Sequence, residues 1–140
     1  MCSQGIVELY NSNQLLEKRE LTRYTEIYQD FMNLVLKHYT TEHNVTFYAD
    51  QLGLTPPYFS TSIKKAIGQT PLEVITQIII MDAKAQLKGT NLEIKKIAMG
   101  LGFNNLSFFN RFFRQHVGMT PQEYRGKTYT YSYYQKDPSK

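Results

Sequence analysis

The sequence predicts an all-α fold of about seven helices. Three observations indicate it: apolar residues recur at steps of three and four, glycines and Thr-Pro pairs separate those stretches, and one segment recurs 49 to 50 residues further along the chain. With 140 residues, 41% hydrophobic and 20% charged, the composition is that of a folded domain rather than a disordered chain. No apolar run approaches the roughly 20 residues that span a bilayer, and no secretory signal pattern opens the chain, so we expect a cytoplasmic location.

The N-terminal part of the chain is expected to contain one helix. Apolar side chains recur at helical spacing from about residue 21 to 39, and two threonines follow. Before that stretch, the Asn-Ser-Asn segment at 11–13 lies between short apolar groups, which is typical of a connector. The predicted division is a connector or interdomain arm at 1–22, one domain at 23–126, and a Tyr-rich C-terminal tail at 127–140.

The repeated segment is the most informative feature of the sequence. Residues 49–54 and 98–103 share an alanine four positions before a glycine, which is followed by a large apolar residue. Further on, the pattern Gly-x-Thr-Pro occurs at 68–71 and again at 118–121. Glycine at the end of a short helix allows a left-handed turn at little cost, and a second helix then begins. Each copy therefore predicts a helix-turn-helix unit.

The helix boundaries follow from the start and stop signals. Thr55 before two prolines is a helix start in the first copy, and Asn104 or Asn105 is the cap in the second. Between the copies, an uninterrupted helical pattern predicts one long linker helix with a core stripe of Leu72, Ile75, Ile79, Ala83 and Leu87. The predicted elements are a first helix-turn-helix at about 45–69, the linker helix at about 71–88, and a second helix-turn-helix at about 93–118.

The distribution of charge favours an acidic partner for the repeated region. The formal net charge is +4, but residues 1–44 carry four basic and six acidic side chains, whereas residues 45–140 carry twelve and six. A net +6 on the repeated region and −2 on the rest indicates nucleic acid or another anionic surface as the partner of the former.

Enzymatic chemistry has no support in the sequence. The single cysteine, Cys2, excludes an internal disulfide and a multi-cysteine metal site, and the three histidines have no metal-ligand spacing. No serine has a histidine or an acid at a motif spacing. We therefore expect no catalytic residue, no metal and no cofactor.

The second copy resembles a known family. Residues 102–114, the Gly-Met-Thr-Pro segment at 118–121 and the Glu-Tyr-Arg segment at 123–125 are similar to the signature of the AraC/XylS family of bacterial transcription regulators. The resemblance implies a seven-helix domain that binds double-stranded DNA through two helix-turn-helix units in successive major-groove segments. It also implies activation through RNA polymerase, and homodimerisation through an N-terminal effector domain in larger members. The chain is a small stand-alone member or the C-terminal portion of a larger regulator, and its connector-like start favours the latter.

Transferred to this sequence, the resemblance predicts which residues contact DNA. Arg111 matches the arginine that the family keeps in its second recognition helix, where a phosphate contact or an ion pair is slightly favoured over a guanine contact, and Asn110 is the stronger candidate for a base. Ser60 and Thr61 are shorter than their counterparts in many relatives, so an interaction module with weak, largely non-specific DNA affinity is the alternative. The candidates for base contact are Pro57, Tyr58, Ser60, Thr61, Leu106, Ser107, Asn110 and Arg111, and those for phosphate contact are Lys64, Lys65, Lys95, Lys96 and Arg114.

Overall fold

The computed structural model describes the backbone of residues 2–126 and the side chains of residues 15–126. Over that range the chain is helical and contains no strand, which confirms the predicted all-α class with seven helices. The helices are α1 (Cys2–His38), α2 (Val45–Gln51), α3 (Pro56–Ile67), α4 (Pro71–Gly89), α5 (Ile94–Gly100), α6 (Leu106–Val117) and α7 (121–126). The predicted Tyr-rich tail at 127–140 lies outside the described residues.

The first helix is longer than the sequence pattern predicts. Instead of a connector followed by a helix from about residue 21, α1 runs without a break from Cys2 to His38. Asn and Ser lower helix propensity by only a fraction of a kcal/mol each, and once a helix is nucleated each further residue adds a hydrogen bond. The helix therefore begins well before the predicted residue 21, whereas the role of residues 1–22 as a connector or interdomain arm stays a prediction.

The described residues divide into two units. The first combines residues up to Lys37 with Asn44–Val74, and the second combines His38–His43 with the residues from Ile75 onward. The boundary at Val74 falls inside α4, so the predicted linker helix takes part in both units. Each unit contains one copy of the helix-turn-helix repeat.

An aromatic cluster forms the core of the first unit. The Phe31 ring of α1 meets Tyr48 of α2 and Phe59 of α3 edge-on, with centroid distances of 5.5 and 4.9 Å. All three side chains are fully buried. Edge-to-face aromatic pairs add roughly 0.5–1.5 kcal/mol to the burial of their area. Because α2 and α3 bury their rings against α1, the first helix-turn-helix is complete only with α1 in place.

A second aromatic cluster forms the core of the second unit. Phe103 lies against Phe109 of α6 at 5.2 Å between ring centroids, and Phe113 of α6 lies against Tyr124 of α7 at 5.6 Å. His43, from the segment between α1 and α2, donates a 2.7 Å hydrogen bond from Nε2 to the carbonyl of Leu101. The second helix-turn-helix is thus held on one side by α7 and on the other by the segment at 38–43.

The two copies use the same devices to begin and end their second helix. The Thr55 hydroxyl accepts a hydrogen bond from the amide of Tyr58 at the start of α3, and the Asn105 side chain accepts one from the amide of Phe108 at the start of α6. Both helices end at a glycine with positive φ, Gly68 at 75° and Gly118 at 95°. These caps confirm the predicted starts and stops, with Asn105 rather than Asn104 as the cap of α6.

The Thr-Pro pairs open the helices that follow. At the start of α4, Thr70 and Glu73 exchange hydrogen bonds between side chain and backbone amide at 3.1 and 3.2 Å, which is a capping box. Thr120 and Glu123 do the same before α7. The core stripe predicted for the linker helix is correct except at Leu72, which is 57% exposed. Val74 and Ile80 are buried as well. Each is adjacent to a predicted core residue, and the run of apolar residues along α4 does not show which of them face the core.

Replacing Gly102 by alanine is expected to destabilise the protein more than the same change at Gly53. Both glycines end the first helix of their repeat with positive φ, at which alanine costs about 1–2 kcal/mol. At Gly53 an added Cβ has open space, but at Gly102 it would lie 2.5 Å from the backbone oxygen of Thr40. Urea unfolding followed by circular dichroism should give Gly102→Ala a free energy of unfolding at least about 1 kcal/mol below that of Gly53→Ala. Equal losses would contradict the packing described for the second unit.

The capping box of α4 is expected to weaken in acid. Hydrogen bonds from the amide and then the hydroxyl of Thr70 hold the pKa of Glu73 below its ordinary value. A carboxyl with a lowered pKa in the folded state contributes stability above its unfolded pKa and loses it as the pH falls through the folded pKa. An NMR titration of the Glu73 carboxyl should show the lowered pKa, and Thr70→Ala should move it towards the ordinary value. The variant keeps the backbone amide at this position, so an identical titration in both proteins would contradict the contribution of the Thr70 hydroxyl.

Candidate nucleic-acid interface

The outer face of α3 carries most of the residues predicted for the first unit. Phe59 and Ile63 are fully buried, and with 3.6 residues per turn the opposite side of the helix faces solvent. Ser60 is half-buried at the edge of this face. The exposed predicted residues are Pro57, Tyr58, Thr61, Lys64 and Lys65.

The outer face of α6 is likewise the side opposite its buried residues. Phe109 and Phe113 are fully buried, and Ser107, Arg111 and Arg114 are exposed. The predicted residues Leu106 and Asn110 are half-buried, since both lie between the buried and the exposed sides. The structure therefore brings Ser107, Arg111 and Arg114 together on one helical face, with Asn110 beside them.

Phe108 is a surface residue that the sequence pattern missed. It is 60% exposed in the first turn of α6, at the position that Tyr58 occupies in α3. The guanidinium carbon of Arg111 lies 5.8 Å from the centre of its ring, within the range of a cation–π contact. The i, i+3 spacing of an aromatic and an arginine was the available signal, because residues three apart are neighbours on a helix surface.

The predicted phosphate-contacting residues are all on the surface. Lys64 and Lys65 lie in the last turn of α3, and Lys95 and Lys96 are exposed on α5. Arg114 lies in the last turn of α6. The positive side chains in the last turns of α3 and α6 complement the negative end of the helix dipole, so they favour the fold as well as an anionic partner. Lys95 and Lys96 lie in the first turn of α5, where the dipole gives them no such support.

An open cleft of about 360 Å³ runs along α6. Its lining is a mixture of rings and polar side chains, with Phe108 and Arg111 among them. The full lining is Gly102, Phe103, Asn104, Phe108, Arg111, Phe112 and Gln115. Phe112 is half-buried and packs between Phe103 and His116.

The described residues hold no cluster suited to a metal. Within that part of the chain, no group of three or more His, Cys, Asp or Glu side chains is close enough to bind an ion. Among the same residues, no helix is long and apolar enough to cross a membrane.

Comparison with known proteins identifies the family of this fold. The family model described as a helix-turn-helix domain matches residues 48–127, which is more than half of the chain. The chain belongs to the AraC/XylS family. This family and its fold are those of DNA-binding transcription regulators, which are not enzymes, as the sequence predicts.

Similar proteins of the AraC/XylS family are transcription regulators by name. The chain is 36% identical over 75 residues to an uncharacterized HTH-type transcriptional regulator, YobQ, of Bacillus subtilis (strain 168), covering 54% of this chain and 31% of that protein. It is 27% identical over 115 residues to the HTH-type transcriptional activator RhaS of Escherichia coli (strain K12 / DH10B), covering 79% and 41%. Among solved structures, the C-terminal domain of AraT, a response regulator from Geobacillus stearothermophilus, superposes with a TM-score of 0.68 at 26% identity, covering 72% of this chain and 84% of that one.

The chain matches only part of the length of these relatives. The chain spans between 31% and 41% of the length of the curated relatives YobQ and RhaS. The region matched by the family model begins within α2 and contains α3 to α7, and therefore both outer faces described above.

Proposed function

We propose that this AraC/XylS-family chain binds duplex DNA sequence-specifically and regulates transcription, with α3 and α6 as its DNA-contacting helices. The observation that carries the proposal is the pair of capped helices, one in each repeat, that leave a polar and basic face exposed. Each buries an aromatic residue at the same position, Phe59 or Phe109, and exposes the face that can enter a major groove.

Under this proposal the exposed side chains fall into two roles. Base contacts come from the first half of each helix: we assign Asn110 to adenine, and Arg111 to a phosphate or to guanine. Lys64 and Arg114 in the last turns, and Lys95 and Lys96 on α5, contact phosphates and position the protein.

The direction of regulation that we propose is activation through contact with RNA polymerase. RhaS, which the chain matches at 27% identity, is named as an activator, and this supports the choice. We also propose that two copies act together, because a net +6 on residues 45–140 is modest for a protein that must bind tightly through phosphate contacts. Linking two DNA-binding units raises the effective affinity without any new contact.

Replacing Asn110 or Arg111 by alanine is expected to weaken specific binding by about 1–3 kcal/mol each where a base contact is lost. The measurement is a mobility-shift titration of a duplex selected from a random library, in the presence of competitor DNA. Asn33→Ala and Arg19→Ala, at exposed positions of α1, are the matched controls and should bind as the wild type does. If the wild type binds selected and random duplexes equally, the proposed specific function fails.

Replacing Lys64 by alanine is expected to weaken binding to all duplexes alike. A lost phosphate contact should reduce the magnitude of the slope of log K against log salt concentration by about 1. The measurement is a fluorescence-anisotropy titration at several salt concentrations, with Lys37→Ala on α1 as the control of equal charge. An unchanged slope would remove Lys64 from the set of phosphate contacts.

A further inference from the structure

Phe108 is an apolar ring at the position on α6 where a base contact is expected. It is the third residue of the helix, and its amide donates a 2.8 Å hydrogen bond to the side chain of the capping residue Asn105. Its ring is 60% exposed, although the neighbouring Phe109 is fully buried. Residues in the first turns of a recognition helix are the ones that meet base edges in the major groove.

Arg111 is held beside that ring. Its guanidinium carbon is 5.8 Å from the ring centre, and the two residues are three positions apart on the same exposed face. A cation–π contact restrains a long side chain that would otherwise sample many rotamers, so less freedom is lost when it binds. The ring and the guanidinium therefore form one preorganised patch.

The two groups of this patch suit two different features of the major groove. The 5-methyl group of thymine is the apolar feature on base-pair edges there, and Phe is one of the side chains that contact it. The guanidinium pairs in bidentate fashion with O6 and N7 of guanine. Successive base pairs are about 3.4 Å apart along the axis, so groups 5.8 Å apart can meet neighbouring base pairs.

The cleft along α6 extends the apolar part of the patch. Phe108 and Arg111 line it together with the rings of Phe103 and Phe112. A methyl group that approaches Phe108 from this side would therefore meet further apolar surface, which increases the area removed from water.

We propose that Phe108 and Arg111 together recognise a thymine next to a guanine, Phe108 through the thymine methyl group and Arg111 through the guanine edge. This inference rests on the proposed DNA-binding function and adds a specificity-determining residue to it. The first repeat provides the internal contrast: Tyr58 occupies the equivalent position in α3, but Thr61 stands where α6 has Arg111.

The experiment uses the full chain and a duplex enriched from a randomised library. Each thymine is replaced in turn by uracil, which removes only the methyl group, and affinity is measured by fluorescence anisotropy. The wild type should bind about four-fold more weakly at one thymine, as expected for the burial of one methyl group. Phe108→Ala should bind the thymine and uracil duplexes equally there, Phe108→Leu should keep part of the difference, and Tyr58→Ala should keep all of it.

The guanine is tested in the same way with 7-deazaguanine, which lacks the N7 acceptor. Replacing the guanine next to that thymine should lower the affinity of the wild type for the duplex and should leave the affinity of Arg111→Ala unchanged. Phe108→Ala should show a reduced effect, because the ring no longer restrains Arg111. The reduction of the 7-deazaguanine effect in Phe108→Ala measures the coupling between Phe108 and Arg111.

The outcomes separate the two levels of the proposal. If no sequence is enriched, the proposed specific function fails and this inference fails with it. If a sequence is enriched but the uracil effects are the same in the wild type and in Phe108→Ala, specific binding stands and the role of Phe108 is overturned. Thermal unfolding of each variant shows whether it is folded, and the exposed position of Phe108 favours variants that keep their fold.

Discussion

The burial of one aromatic side chain at the same position of each repeat, Phe59 in α3 and Phe109 in α6, is the constraint on which the rest of the structure depends. An α-helix has 3.6 residues per turn, so the position of one buried side chain determines which residues face solvent. The anchors differ in what surrounds them. Phe59 packs against Phe31 of α1, whereas Phe109 packs against two rings of its own repeat, Phe103 and Phe113. The first helix-turn-helix therefore depends on a helix outside the repeat. The second combines contacts among its own rings with contacts to α7 and to the segment at 38–43.

The ends of the two helices are fixed by devices that are independent of the core. A capping side chain satisfies an amide at the start, and a glycine with positive φ satisfies a carbonyl at the end. Because length and orientation are set by the caps and by the buried anchor, the outward residues are free to differ between the copies. They do differ, since Ser60 and Thr61 of α3 correspond to Asn110 and Arg111 of α6. The two copies thus share their helix ends and their buried anchor, but differ in the residues on their exposed faces.

The repeat explains why so much of the fold was predictable from sequence. Glycines and Thr-Pro pairs at matching offsets fix helix ends through local chemistry, which needs no knowledge of distant contacts. The start of α1 was not predictable, because weak helix formers are tolerated once a helix has begun. Phe108 was missed for another reason. Four rings within six residues form a continuous apolar stripe about 140° wide on α6, and only the packing of the second unit decides which of them stay outside. The DNA contacts themselves remain predictions.

The differences between α3 and α6 argue for a division of labour in the proposed DNA binding. The basic side chains of α3 lie in its last turn, at Lys64 and Lys65, whereas α6 also has Arg111 in the middle of its exposed face. Side chains at the flank of a recognition helix meet phosphates, which carry no sequence information directly, and those nearer its start meet bases. A short hydroxyl such as that of Thr61 offers one rotatable oxygen to a base edge, but a guanidinium donates two hydrogen bonds in a fixed geometry. We therefore propose that discrimination between sequences is concentrated in α6, and that α3 contributes position and affinity.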